Sequence, residues 1–267
     1  MNFRPCEISI RVSLAVVTVL NGFSLAEADV RSPRPFSADA IVQKLMAANA
    51  LRAEALQGYR GKRVYRLQYK GLFGSHNASM VVEATYTAPD KKEFRILSES
   101  GSHLLINRVL VRLLASESEA QEEQNRKALE ITPENYDFSL DEIEHTAKDD
   151  FYVLNVKPKG KSRYLYRGKI WVDAHDFAVV RMKGEPEKNP SIWVTRTEIQ
   201  YQWANKDGFW LPAHNESMTL VRMGGKAFLT IDYSDYQITV NRAAVWQHPA
   251  SHGQAMPDPS TVTADPH

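Results

Sequence analysis

The feature that most restricts this chain is a change of hydrophobic period at Gly58. Before it, Ile41, Leu45, Met46, Ala48 and Leu51 recur at helical spacing behind Ser37, whose hydroxyl suits a helix start. A helix is expected from about Ala38 to Leu56, closed by Gly58. After it the period is two. Tyr59, Arg63, Tyr65, Leu67 and Tyr69 alternate with Arg60, Lys62, Arg66, Gln68 and Lys70, the pattern of a half-buried strand with one polar face. A helix cannot bury such a stripe, so the fold must contain a sheet with a covered face.

The alternation continues down the chain. A loop over Gly71 to Asn77 leads to a return strand from Ser79 to Thr87, and Glu93 to Ser98 complete a three-stranded antiparallel meander. Further strands are expected at Tyr136 to Glu144, Phe151 to Lys157, Ser162 to Asp173, Phe177 to Lys183 and Ile192 to Ala204. Asn205-Lys206-Asp207-Gly208 is a strong hairpin signal, because glycine accepts the positive φ of the turn. Trp210 and Leu211 lead to a bend at Pro212, and Ala213 to Arg222, the Gly224-Gly225 turn and Ala227 to Val240 finish the series. The total is about ten strands and two helices.

The second helix interrupts the strands between His103 and Glu130. Its first half places Leu105, Ile106, Val109, Leu110, Leu113 and Leu114 at helical spacing, whereas Ser116 to Lys127 is almost wholly polar. It reads either as an amphipathic helix over a sheet face or as a plug in the mouth of an open barrel.

The ends place the chain. Arg4 and Arg11 precede an apolar run from Val12 to Leu20, and Ala26-Glu27-Ala28 offers small residues where a signal peptidase needs them. The run is shorter than the roughly 20 residues of a spanning helix. Residues 1–28 are therefore expected to be a cleaved signal peptide, 29–36 a Pro-containing linker, and 243–267 a disordered Pro-rich tail. Cys6 lies ahead of the apolar run, so it suits neither a lipid anchor nor a disulfide in the processed chain. About 200 residues remain, enough for one domain stabilised by its core.

Charge and motifs narrow the function. The 33 basic and 32 acidic residues nearly cancel, which argues against a nucleic-acid partner. No phosphate loop, HExxH, CxxC or GxSxG elbow occurs, and no catalytic residue or cofactor is assigned. On a strand, Glu142 and Glu144 share one face and His145 the other, which opposes an acid–base site. Asp173, His175 and Asp176 read as turn formers rather than a metal site. His248, His252 and His267 lie in the tail without convergent partners. Asp232, Tyr233, Ser234, Asp235 and Tyr236 alternate between faces and give no convergent cluster.

Several runs carry a family resemblance. Gly168-Lys169-Ile170-Trp171-Val172-Asp173 followed by Phe177-Ala178-Val179-Val180-Arg181, then Gly184 to Trp193, Asp207 to Pro212 and Thr230 to Tyr236, resemble the periplasmic outer-membrane lipoprotein-sorting proteins of LolA-like and LolB-like type, in an uncharacterised subgroup. The resemblance covers roughly Ala38 to Val240. It implies a mainly β fold with helices (α+β), an open antiparallel half-barrel of about ten strands whose cavity is closed by an N-terminal helix and an inserted helix. Residues 37–242 would then form one lipid- or lipoprotein-binding domain.

The function this resemblance implies is that of a soluble, non-enzymatic periplasmic carrier that holds acyl chains in an apolar cavity. A membrane-anchored donor or acceptor protein would be a further partner. The alternatives are an envelope sensor that binds a protein partner and a hydrolase acting on an apolar substrate. Candidate cavity residues, taken at the apolar phase of strands and on the inserted helix, are Tyr65, Leu67, Val82, Tyr86, Leu105, Val109, Leu113, Ile170, Val172, Trp193, Leu220, Leu229 and Ile231. The absence of an anchor cysteine makes the chain more similar to the soluble carrier than to its receptor. The polar half of the inserted helix and the tail have no counterpart in that resemblance.

Overall fold

The computed structural model describes residues 36–241 apart from 73, 122–126, 128, 129, 163, 190 and 223. The expected leader and tail, and much of the polar half of the inserted helix, lie outside the described residues.

Helix α1 (Ala38–Ala55) starts at Ser37, whose Oγ accepts the Ala40 N–H at 3.2 Å. It does not end at a glycine. Leu56 is already extended, at φ −83 and ψ 110, and opens strand β1 (Leu56–Gly71) directly. Gly58 is thus a strand residue, and its role is close approach: a Cβ there would meet the Tyr86 carbonyl oxygen at 2.5 Å. The expected loop over Gly71 to Asn77 is also shorter, because Gly71 pairs with Gly74 in a tight hairpin into β2 (Gly74–Thr87). Strand β3 (Lys91–Gly101) completes the meander.

The inserted segment is not one regular helix. A short α2 (His103–Leu105) runs through a π-helical turn (Ile106–Leu110) into α3 (Val111–Gln121). Seven more strands follow: β4 (Tyr136–His145), β5 (Asp150–Pro158), β6 (Tyr166–Asp173), β7 (Val179–Pro186), β8 (Val194–Lys206), β9 (Phe209–Val221) and β10 (Gly225–Val240). β6 starts four residues later than its pattern suggests, because Ser162 makes a turn in which its Oγ accepts the Tyr164 N–H. β7 starts late because Phe177 takes φ 46 in the preceding turn.

All ten strands form one antiparallel sheet in the order β3-β2-β1-β10-β9-β8-β7-β6-β5-β4. β3 and β4 are successive in the chain yet form opposite edges, so the sheet is open and the segment between them must travel from one edge to the other. Directly paired residues point to the same side of a sheet. The row Met80, Tyr65, Ile231, Asn215, Tyr201, Met182, Ile170, Leu154 and Leu140 is paired step by step across it. That row defines the inner face. Both helical segments lie on it. α1 sets Ile41, Val42 and Leu45 against Leu154, Ile170, Val172 and Met182, while Ile106, Leu110 and Leu114 pack against Tyr65, Leu67, Met80 and Val82. Each fully buried aliphatic side chain in these clusters contributes about 1.5–3 kcal/mol of transfer free energy. No helix among the described residues is long and apolar enough to cross a membrane.

Two bulges set the phase of the later strands. Ala213 is an extra residue on β9 beside Pro212, where the sequence predicts a bend. On β10, Asp235 (φ 56) and Tyr236 together oppose Gly61.

Candidate functional site

The inner face carries two apolar pools separated by a polar belt. The first, under the inserted helix, contains Tyr65, Leu67, Val82 and Ile231, with Leu105, Val109 and Leu229 packed at its margin. The second, under α1, contains Ile170 and Val172. These nine residues include most of the cavity candidates. Tyr86 sits apart on the same face, its ring 5.4 Å from that of Tyr59. Leu113 is partly exposed on the outer side of α3, and Trp193 is 58% exposed on the β7–β8 connection. Leu220 pairs with Lys226 and Arg196, in the phase of the opposite face.

The belt between the pools was not expected from the sequence. Arg63 is only 4% exposed and points inward, between the rings of Phe94 at 5.1 Å and Tyr233 at 5.2 Å. Its Nη1 donates to Glu117 of α3 at 2.7 Å, and Lys92 of β3 donates to the other carboxylate oxygen. Next to this, Tyr201 is paired with Asn215, which is itself 4% exposed, and its ring lies 6.3 Å from that of Tyr166. The bulge at Asp235 turns Tyr236 to the side of Tyr233, and its hydroxyl donates to the Pro212 carbonyl at 2.8 Å. The expectation that Tyr233 and Tyr236 would not converge is therefore corrected: the extra residue reverses the alternation.

A signal for this belt was present. Arg63 occupies the phase of Tyr65 and Leu67, and Glu117 continues the stripe of Leu110 and Leu114 by another turn. A charge at a core phase on each of two elements suggests that the charges meet.

The electrostatics follow from the burial. Desolvation acts against the charged form of Glu117, but Lys92 and Arg63 outweigh it and hold the carboxyl below its ordinary value of 4.5. Burial pushes Tyr201 up to about 12 and also raises Tyr65 and Tyr233. Glu117 is deprotonated more readily in the folded chain than in the unfolded one. Its contribution to stability is therefore present above pH 4.5 and is lost as pH falls through the depressed folded value. Urea unfolding from pH 7 downward should show stability falling on the acid side of 4.5, with a smaller fall in Glu117→Gln. Equal pH profiles for the two proteins would remove Glu117 from the account.

The other polar clusters are structural in their contacts. Asp173 Oδ1 accepts the backbone N–H groups of His175 at 3.0 Å and Asp176 at 2.6 Å, as a turn former does. Asp176 in turn accepts from Trp210 Nε1 at 2.9 Å and Asn205 Nδ2 at 3.2 Å, tying the β6–β7 turn to the β8–β9 hairpin. The ligand atoms of Asp173, His175 and Asp176 do lie within 4.8 Å of one another, but hydrogen bonds already engage Asp173 Oδ1 and both carboxylate oxygens of Asp176. Glu144 accepts from Trp171 Nε1 at 2.7 Å and pairs with Arg181, whereas His145 pairs with Asp150 at 2.7 Å on the surface. His214 and Asp232 are 2.7 Å apart and half-exposed on the outer face.

Two open depressions of about 450 and 570 Å³ are lined by outer-face residues such as Arg66 and Phe228, and Arg167 and Lys183. The apolar inner face, in contrast, is filled by the helices.

No protein-family profile and no curated protein sequence matches the chain. The fold is similar to several solved structures. An outer-membrane lipoprotein-sorting protein domain from Vibrio parahaemolyticus aligns at 16% identity and TM-score 0.42, over 74% of this chain and 93% of that one. A LolA superfamily protein from Nitrosomonas europaea aligns at 16% identity and TM-score 0.32, over 79% and 97%. The MucA/MucB complex of Pseudomonas aeruginosa gives 11% identity and TM-score 0.24, over 79% and 96%.

Proposed function

We propose that this chain is a periplasmic, LolA-like carrier that takes acyl chains of lipids or lipoproteins onto the inner face of its sheet, with the inserted helix as a gate. Residues 37–242 are the binding domain in this reading, and Tyr65, Leu67, Val82, Leu229 and Ile231 form the floor of the acyl site.

One observation carries the reading. The floor is a contiguous apolar surface, yet the segment covering it is held partly by charge. Ile106, Leu110 and Leu114 fill the floor, but the same stripe ends in Glu117, bound to Arg63 and Lys92. Around Ile106 to Leu110 the helix also passes through a π turn, an irregularity of the kind found at functional positions. A cover of this composition can be exchanged for a hydrocarbon chain at less expense than a wholly apolar one. The apolar contacts it gives up are replaced by the ligand's, and its charges return to water.

The test begins with native mass spectrometry of the processed chain from a periplasmic extract, followed by solvent extraction. Added mass that extracts as acyl lipid supports the carrier. A fluorescent fatty acid should then bind Glu117→Ala faster than the parent chain by about tenfold, the scale of one lost charge-assisted hydrogen bond. A clean apo mass and no uptake by either protein would sink the carrier.

A second reading, an envelope sensor that binds a protein partner, is favoured by the filling of the inner face with protein side chains. In that case the inserted helix is a fixed element of the surface, and partner capture from envelope extracts becomes the informative step.

A further inference from the structure

Two connections at one end of the sheet carry large apolar side chains into solvent, and a third lies between them. Leu72, in the β1–β2 turn, is 74% exposed, and on the β7–β8 connection Ile192 is 78% and Trp193 58% exposed. The β9–β10 turn lies between them. A Cβ on Gly224 would be 3.7 Å from Leu72, and the Arg222 N–H donates to the Trp193 carbonyl at 2.7 Å. The three connections are therefore neighbours at one rim.

On these connections the exposed charges are basic, and the one acidic residue, Glu187, is paired with Arg167 at 3.6 Å. Lys70 and Lys226 are exposed and directly opposite one another on β1 and β10, and Arg222 is exposed on the turn. Like charges placed opposite on paired strands repel. Among the described residues, none of these three cations has a carboxylate partner. The arrangement is unfavourable within the chain and is relieved by an anionic surface outside it.

The other end of the sheet differs. Its turns contain Asp90, Asp149, Asp176 and Asp207, with Lys148 and His175 beside them. None of those turns presents an exposed large apolar side chain. The asymmetry distinguishes the rim from apolar residues scattered singly over a surface.

We infer that the rim formed by Leu72, Ile192 and Trp193, with Lys70, Arg222 and Lys226 around it, docks on an anionic lipid bilayer. The shape favours a bilayer over a protein groove, because the apolar groups stand at the tips of separate turns rather than line a concavity. The residue types agree. Tryptophan and aliphatic tips suit the headgroup boundary, and lysine and arginine are drawn to negative lipid. The inference does not rest on the carrier reading, since a sensor or any other envelope protein could dock in the same way.

The test is co-sedimentation of the processed chain with vesicles of phosphatidylcholine alone and of phosphatidylcholine with phosphatidylglycerol. The parent chain should pellet with the anionic vesicles and do so less as salt screens the attraction. The triple variant Lys70→Gln, Arg222→Gln, Lys226→Gln should lose on the order of 100-fold in partitioning to anionic vesicles. Trp193→Ser alone should weaken binding without altering the urea midpoint, since the side chain is largely in solvent. Failure of the parent chain to bind anionic vesicles overturns the inference, as does binding that neither variant weakens. Loss of fatty-acid uptake with vesicle binding intact would count against the carrier alone.

Discussion

Arg63→Ala is expected to reduce folding stability by about 3–5 kcal/mol, the range for breaking a buried ion pair by removing one partner. The guanidinium is 4% exposed and ringed by Phe94, Tyr233, Tyr65 and Glu117. Its removal leaves the Glu117 carboxylate with Lys92 alone, opens a void between two aromatic rings, and takes a donor from the Tyr65 hydroxyl. The measurement is urea unfolding, read from the midpoint with the slope checked. A companion variant separates charge from packing. Arg63→Met with Glu117→Leu removes both charges and keeps apolar volume, and it should recover most of the loss because no buried charge is orphaned. Lys92, with 13% of its side chain exposed, can extend its ammonium to water in that background. A loss below about 1 kcal/mol in Arg63→Ala would mean that the inserted helix is not seated on the sheet as described.

Much of the architecture was legible because each strand of a one-sided sheet repeats the same period. The hairpin at Asp207 and Gly208 could be placed because the turn needs positive φ at both positions, and both have it, at 53 and 86. Local pattern could not supply the phase of strands interrupted by bulges. Trp210 and Leu220 have the same parity, so extending one phase along β9 puts both on the inner face. The extra residue Ala213 reverses the alternation and sends Leu220 to the other side. Asp235 does the same for Tyr236. Nor could local pattern reveal that β1 pairs with β10, a long-range contact that closes two meanders into one sheet. The charged belt escapes a sequence reading for a different reason. Arg63 and Glu117 each stand at a core phase of their own element, but local pattern does not say that the two elements face one another, and only their joint burial shows the contact.

The largest backbone effect is expected at Gly168, where the apolar inner face of β6 crosses to β7. Gly168 pairs directly with Gly184, and neither has room for a methyl group. A Cβ on Gly168 would lie 2.2 Å from the Lys183 carbonyl oxygen, and one on Gly184 would lie 2.2 Å from that of Arg167. Both obstructions are backbone atoms, so no side-chain rotation relieves them. Gly168 also has φ +150, a conformation that side chains of L residues rarely adopt. Gly168→Ala therefore combines strained φ with overpacking, each on the order of 1–3 kcal/mol, for a total of roughly 2–6 kcal/mol. Gly184→Ala should be the milder of the two, since it has the clash without the positive φ. The double variant should lose less than the two single losses combined, because both disrupt the same strand pairing. Hydrogen exchange locates the damage: protection should fall in β6 and β7, next to the pool under α1, before it falls in β1 and β2. A Gly168→Ala protein within about 0.5 kcal/mol of its parent would show that β6 and β7 are not paired in this register. It would also leave the two glycines that open the Gly168 and Gly184 runs without a steric role.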